Sequence, residues 1–482
     1  MASRPISRPS LRLLHDRQAG RARAICSLVA PLAGSFGSAT DLRTTDTDGQ
    51  LDLFSAPARS GAVSRLSDRA GDASSATHGL ALWPAPATPT TPGSRTSTTA
   101  TRTTTTSPTN TERAPSAETP DGAFSYAALV DAWIDCRRTK RNTAAARAFE
   151  AEIEANLTRL YEALAAGTYR PGPSICFAIT RPKLREVWAA AFADRVVHHL
   201  LYRHIGPRFE RAFIADTCAC IEVRGTLYAA RRLENKVRAI THNWARRAYY
   251  LKLDLANFFP SIDKRVLREQ LVARISESWW RSLAERILLH DPRPDVELRG
   301  DPQRLAAIPP QKSLLHQPAH LGLPIGNLSS QFFANVYLDA LDQHVKHDLR
   351  ARHYIRYVDD FILLHESPQQ LNAWRADIEA FLPARLGVRL NPAKTVLQPI
   401  ERGIDFVGQV IKPHRRTIRR RTFNAALHRI DRMRDDDLHR SANSYFGLLR
   451  QATHSHRDRA RLANLVRRRG LAVDHNLTKA YA

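Results

Sequence analysis

The chain has 482 residues, and its 72 Lys plus Arg against 47 Asp plus Glu leave a formal net charge of +25; at roughly 150 residues per domain it has room for two or three. That excess attracts polyanions, because phosphate contacts release counterions, and it points to nucleic acid or, more blandly, an anionic surface as partner. Cys26, Cys136, Cys176, Cys218 and Cys220 form no CxxC pair and no His pair completes a zinc pattern, which argues against a zinc site or a disulfide framework and fits a reducing, cytoplasmic setting.

No apolar run approaches the roughly 20 residues of a membrane span, so no membrane is expected as partner. Residues 1–120 contain no Lys, few aromatics, and a Thr/Ser/Pro tract over 87–117. Such a segment buries too little apolar area to offset its ordering entropy, and it reads as a disordered tail. Its first 35 residues are Arg-rich with one acid, Asp16, a composition shared with organellar transit peptides; a plain tail or a misplaced start codon is the simpler reading. From 121 the pattern turns globular. Residues 126–164 set Ala, Leu and Ile three and four apart and predict helix, ended by the turn signal of Tyr169-Arg170-Pro171-Gly172-Pro173. Residues 185–203 again read as helix, with His198 and His199 a packed or solvated pair rather than a metal site.

Two later segments of strand character carry acids. In 249–262, YYLKLDLANFFPSI, the leucines alternate with Tyr250, Lys252 and Asp254, the period of a strand. Its end predicts a helix capped by Ser261 or Asp263. In 354–364, YIRYVDDFILL, the adjacent Asp359 and Asp360 are flanked by apolar residues, the pattern of a β-hairpin with acids at its tip. Buried carboxylates without a counter-charge are costly, so the pair implies a nearby cation. Alone, Asp254 suits a cap and Asp359-Asp360 a surface turn. Together they suit a two-metal centre assembled from separate strands. Mg²⁺ prefers a few carboxylates plus substrate phosphates, and two such ions about 4 Å apart activate a hydroxyl and stabilise a leaving pyrophosphate.

In order along 169–450, these blocks and their neighbours resemble the reverse transcriptase family. FAITRPKLRE (177–186) and DRVVHH (194–199) resemble its first block, which implies that Lys183 and Arg185 grip the incoming triphosphate. DLANFFPSI (254–262) resembles motif A, with Phe258-Phe259 over the steric-gate position; counting from Asp254 favours Phe259 and leaves Phe258 open. A ring there collides with a ribose 2′-OH, so the resemblance implies dNTP rather than rNTP. YVDD (357–360) resembles motif C, and the implied metal set is Asp254, Leu255, Asp359 and Asp360, with Mn²⁺ a substitute for Mg²⁺. NPAKT (391–395) resembles motif D and implies Lys394 as proton donor to pyrophosphate. GIDFVGQVI (403–411) resembles the primer grip, and the basic stretch after it a helical thumb.

The implied fold class is α+β, a right hand with fingers, an antiparallel palm sheet with helices, and a thumb. Fingers and N-terminal helices take 121–248, the palm 249–411 and the basic thumb 412–482. In LPIGNLSSQ (323–331), Ile325 and Gln331, around Gly326, stand where most families have Gln and Pro. That form resembles the reverse transcriptases of diversity-generating retroelements, which implies copying with errors at template adenines, because an apolar Ile325 beside the incoming base discriminates less than a polar group. Packing of the palm is the plainer role for Ile325. FIADTCACIEVRGTLYAA (213–230) and SYFGLLR (444–450) resemble further blocks, although Cys218, Ile221 and Glu222 depart from the usual aromatic and basic residues and put template contacts in doubt. Implied partners are an RNA template, a DNA or RNA primer, dNTP and a small basic accessory protein. Retron or phage-defence enzymes, a non-catalytic RNA-binding relic and an RNA-dependent RNA polymerase are the rivals; the short segment after 411 disfavours a mobile group II intron protein.

Overall fold

The computed structural model describes residues 123–138, 143–180 and 183–481. The low-complexity segment expected over 1–120, Cys26 included, lies outside them. The periodic stretch from 126 is three helices rather than one: α1 (Tyr126–Arg137), α2 (Ala144–Ala151) and α3 (Ile153–Ala165). Ser125 and Thr143 each accept a backbone N–H of the following turn and so give α1 and α2 separate N-caps.

The helix expected from 185 starts only at Phe192. Residues Arg185–Ala190 are strand β2, paired antiparallel with β1 (Ser174–Ile179) along the whole register from Ser174↔Ala190 to Ile179↔Arg185. Trp188 is fully buried there against Cys176 and Leu314, and cross-strand pairing overrides the local helical pattern. Helices α4 (Phe192–Ala212) and α5 (Thr226–Ile240) follow, and His198 and His199 are both packed inside. Then come β3 (Tyr249–Asp254), the single turn α6 (Phe258–Ser261), α7 (Lys264–Val272) and α8 (Ser278–Leu289). Asp263 is the cap of α7, accepting from the Arg265 N–H at 2.8 Å, whereas the Ser261 hydroxyl donates back to the Asn257 carbonyl at 2.9 Å. β4 (Glu297–Arg299) adds to β1 in parallel, and α9 (Pro302–Ala306) leads to α10 (Leu328–Gln343).

β5 (His353–Tyr357), β6 (Asp360–His365), α11 (Pro368–Leu386) and β7 (Val396–Pro399) complete a four-stranded antiparallel sheet of order β5-β6-β3-β7. Leu251, Leu253, Phe361 and Leu363 face a core shared with Phe333, Tyr337 and Leu382. Tyr250, Ile355, Ile362 and Leu364 face a second core with Leu233, Val237 and Phe406. Burial on both faces explains why these strands read as nearly continuous apolar runs. A three-stranded sheet of β8 (Ile404–Phe406), β9 (Gln409–Lys412) and β10 (Arg415–Ile418) follows. Helices α12 (Arg420–Arg432), α13 (Asp435–Arg450) and α14 (His456–Arg468) then pack around Phe423, Ile430, Phe446, Leu462 and Val466.

The class is α+β. The four described cysteines are all buried. Among the described residues no helix is long and apolar enough to cross a membrane.

Candidate active site

The site begins with register. β3 and β6 pair so that Asp254 lies directly opposite Asp360, and paired residues of an antiparallel ladder share a face. β5 and β6 are joined by Val358 and Asp359, with Val358 at φ +56°, a strained setting for a β-branched residue. The turn is held from beneath. Arg356, fully buried, donates to the Val358 carbonyl at 3.0 Å and to Asp342 through Nε at 2.8 Å and a terminal nitrogen at 2.6 Å. Asp342 also accepts from the hydroxyls of Tyr354 at 2.7 Å and Thr217 at 2.6 Å. Asn335 accepts from Arg356 at 3.2 Å and donates to the Ala219 carbonyl at 2.6 Å. A buried ion pair survives desolvation only when its remaining donors and acceptors are met, as they are here.

Above the turn the acids are incompletely neutralised. The end of β3 is stitched to its surroundings: the Leu255 N–H donates to the Asp359 carbonyl at 3.3 Å and the Asn391 N–H to the Asp254 carbonyl at 2.8 Å. That second bond brings the 391–395 segment alongside, and Lys394 Nζ lies 2.6 Å from Asp254 Oδ1. Lys252 Nζ lies 2.9 Å from Asp360 Oδ2, while Asp360 Oδ1 is buried without a hydrogen-bond partner. Burial pushes the Asp359 carboxyl up to about 6, with the charge of Asp254 adding to it. Burial likewise pushes Asp360 up to about 7, against the pull of Lys252. Lys394, then partial burial and Arg185, hold Lys183 below the ordinary lysine range, so basic groups converge on the same acids.

Among the described residues no three His, Cys, Asp or Glu side chains form a ready-made metal-holding group. The chemistry of the donors nevertheless fits a hard divalent cation. Carboxylates raised by burial and further by their neighbours' charge, with one oxygen unpartnered, lack positive charge, and Mg²⁺ takes few protein ligands where substrate phosphates supply the rest. Leu255 follows Asp254 directly and is bridged to Leu390.

The remaining expected residues fall around this centre. Phe258 and Phe259 are both buried, 5.4 Å apart, and Phe258 turns toward Tyr337 of α10 at 6.4 Å. The Phe259 carbonyl accepts from the Leu323 N–H at 3.0 Å, which sets it beside the 323–331 segment. There the Ile325 carbonyl accepts from the Trp188 N–H at 2.7 Å, and Ile325 is half-buried against the main core. Gly326 has φ +123°, and a Cβ would lie 2.7 Å from the Trp188 carbonyl oxygen, so only glycine permits this approach of the segment to β2. Gln331 sits in the first turn of α10, half-buried.

Sequence reasoning missed Lys252, the Arg356–Asp342 pair and Glu186. The buried Glu186 carboxylate accepts from Trp188 Nε1 at 3.0 Å, the Ser313 hydroxyl at 2.6 Å and the Leu314 N–H, tying the 312–314 segment to β2. Arg356 and Lys252 did leave a signal, a charge inside an apolar strand, which requires a buried partner.

Residues 189–411 match the family described as reverse transcriptase (RNA-dependent DNA polymerase). Protein YkfC of Escherichia coli K12 is 22% identical over 293 residues, which cover 54% of this chain and 72% of that protein. Among solved structures, telomerase from Candida albicans with a TWJ fragment of telomeric RNA aligns with a TM-score of 0.37 and 12% identity over 62% of this chain. Apo telomerase from Candida tropicalis, truncated from its C-terminal domain, aligns with a TM-score of 0.37 and 14% identity over 50% of this chain. The chain spans little more than half of either telomerase chain, 56% and 53%.

Proposed function

From the premise that the chain carries a reverse transcriptase domain over residues 189–411, an RNA-directed DNA polymerase, we propose that it extends a primer with dNTPs on an RNA template at Asp254, Asp359 and Asp360. The observation that carries this is the cross-strand register of Asp254 and Asp360 beside the strained Val358-Asp359 turn. Asp254, Asp359, Asp360 and the Leu255 carbonyl would hold Mg²⁺, or Mn²⁺ in its place. When bound, the metal supplies Lewis-acid activation of the primer hydroxyl and charge for the leaving pyrophosphate.

The chain's own residues do the rest. Lys183 and Arg185, on β2 and the turn before it, grip the triphosphate. Lys394 gives a proton to the departing pyrophosphate; its contact of 2.6 Å with Asp254 supports that place for its ammonium. Phe259 is the steric gate and Phe258 a core residue, a division supported by the contact of Phe258 with Tyr337. Gly326 and Gln331 shape the nucleotide pocket, and the half-buried Ile325 lines it. An apolar side chain there supports the diversity-generating retroelement subtype, with errors at template adenines and a small basic accessory protein as partner. Phosphate contacts from the basic surface hold the hybrid. The odd, scattered set of five cysteines supports a cytoplasmic setting.

Primer extension on RNA with Mg²⁺ and dNTPs, with Asp359→Asn beside the wild type and the cDNA sequenced, tests the reading. Synthesis lost in the variant, with errors opposite template adenines, supports enzyme and subtype. An even, low error rate keeps the polymerase and points to a retron or defence enzyme. No synthesis with any primer, or equal synthesis by Asp359→Asn, overturns the site. Phe259→Ala raises rNTP incorporation about tenfold or more by removing the clash, whereas Phe258→Ala chiefly destabilises, by about 3–5 kcal/mol.

A further inference from the structure

Lys252 is a charge in the otherwise apolar middle of β3, and none of the roles above uses it. Its Nζ donates twice, to Asp360 Oδ2 at 2.9 Å and to the backbone carbonyl of Asp405 at 2.8 Å. Asp405 lies in β8, and its carboxylate accepts from Arg419 Nε at 2.8 Å and from a terminal nitrogen of the same guanidinium. Arg419 is the N-cap residue of α12, and its own N–H donates to the Gly408 carbonyl at 3.0 Å. One ammonium therefore joins the start of β6 to the 404–418 sheet and, through Asp405 and Arg419, to the first helix of the C-terminal bundle. The Lys252 side chain is only 20% exposed, so these contacts are weakly screened.

Resting on the polymerase reading above, we propose that Lys252 is a positioning residue that holds the 404–412 hairpin against the acids, so that a primer 3′ end lying on that hairpin is delivered in line with Asp254 and Asp359. Asp360 then acts first as the anchor of Lys252, and only its other oxygen is left for a further role. The two lysines of the centre divide in this way. Lys394, 44% exposed on Asp254, is placed to exchange partners when a substrate arrives. Lys252, pinned by a second bond to a backbone carbonyl, is placed to stay.

The test compares wild type, Lys252→Met, Lys252→Arg and Asp254→Asn, with melting temperatures recorded for each. Lys252→Met keeps length and removes charge and both bonds. A misplacement of about 1 Å at a reacting end costs on the order of 10²-fold, so kcat for extension falls by about that factor, with the KM for dNTP within about threefold. Lys252→Arg recovers about tenfold, because a guanidinium keeps the charge and can reach both acceptors. A primer ending in 4-thiothymidine crosslinks to residues 404–411 in the wild type and loses that crosslink in Lys252→Met, a readout independent of turnover. Wild-type kcat in Lys252→Met, a loss confined to the KM for dNTP, or an unchanged crosslink overturns the proposal. If Lys252→Met melts early, a fully melting-competent Lys252→Arg with the crosslink restored supports it, and one with the crosslink absent overturns it. Should Asp254→Asn extend as well as the wild type, the polymerase reading fails instead, and the crosslink still decides the role of Lys252.

Discussion

The two sides of the Val358-Asp359 turn are built on opposite terms. Beneath it, Arg356 and Asp342 are completely buried, and Tyr354, Thr217, Asn335 and the Val358 carbonyl meet their remaining donors and acceptors. Above it, three carboxylates share two lysines, one oxygen of Asp360 has no partner, and burial raises both acids of the turn. The lower side meets every polar group and so fixes a strained backbone. The upper side leaves negative charge in surplus where a cation and a polyphosphate can be used. Stability is invested on one side so that charge can be left unresolved on the other.

That contrast can be broken from either side. Replacing an acid of the upper side should remove activity and spare the fold: Asp254→Asn is expected to lower primer extension by about 10³-fold or more, with a melting temperature at or above that of the wild type because a repelling charge is gone. Breaking the lower side should do the reverse. Arg356→Met leaves Asp342 buried and unpaired, and urea unfolding should show a loss of about 3–5 kcal/mol. Adding Asp342→Leu should return part of it, since an apolar pair carries no desolvation cost; no recovery would mean that Arg356 acts only through the Val358 carbonyl.

Gly326→Ala sharpens the comparison at the rim. Its Cβ would meet the Trp188 carbonyl at 2.7 Å in a backbone conformation that L residues avoid, and a cost of about 1–3 kcal/mol is expected in thermal unfolding. A last effect is absent at neutral pH and builds up only in acid. Burial holds the His198 imidazole down to about 3 in the folded chain, with Arg195 and His290 adding to the shift. Below the ordinary histidine value of 6.5 the unfolded chain takes up a proton that the folded chain refuses, so this contribution to stability is complete above 6.5 and falls as pH drops toward 3. The slope is about 1.4 kcal/mol per pH unit. His290, held down by burial, acts in the same sense, whereas Asp194, raised by burial, opposes it. His198→Leu should flatten the acid limb of a stability–pH curve, and an unchanged limb would show that His198 titrates normally.

Much of the centre was legible because its signals are local. A strand's period of two placed Asp254, and an acid pair between apolar runs put a hairpin tip at Asp359-Asp360, one residue beyond the observed Val358-Asp359 turn; both signals depend on residues adjacent in the chain. The α+β class was implied by the resemblance to the reverse transcriptase family, and the mixed helices and sheets bear it out. The helix expected from 185 was not strand by its own composition; it became β2 by pairing with β1 and by burying Trp188 under Leu314, a residue 126 positions away. The break of 126–164 into three helices was not read from the periodicity either; the Thr143 cap that starts the second helix is seen in the fold.

By itself, then, the order of residues determined which segments alternate, where acids interrupt apolar runs and which blocks resemble those of a polymerase family. Tertiary structure alone decided the partners of the charges at the centre. Lys394 reaches Asp254 across 140 positions, Asp405 meets Lys252 across 153 and Asn335 meets Ala219 across 116. Such pairings cost chain entropy and desolvation that only a complete fold offsets, so they are properties of the packed molecule, and no local stretch of sequence encodes them.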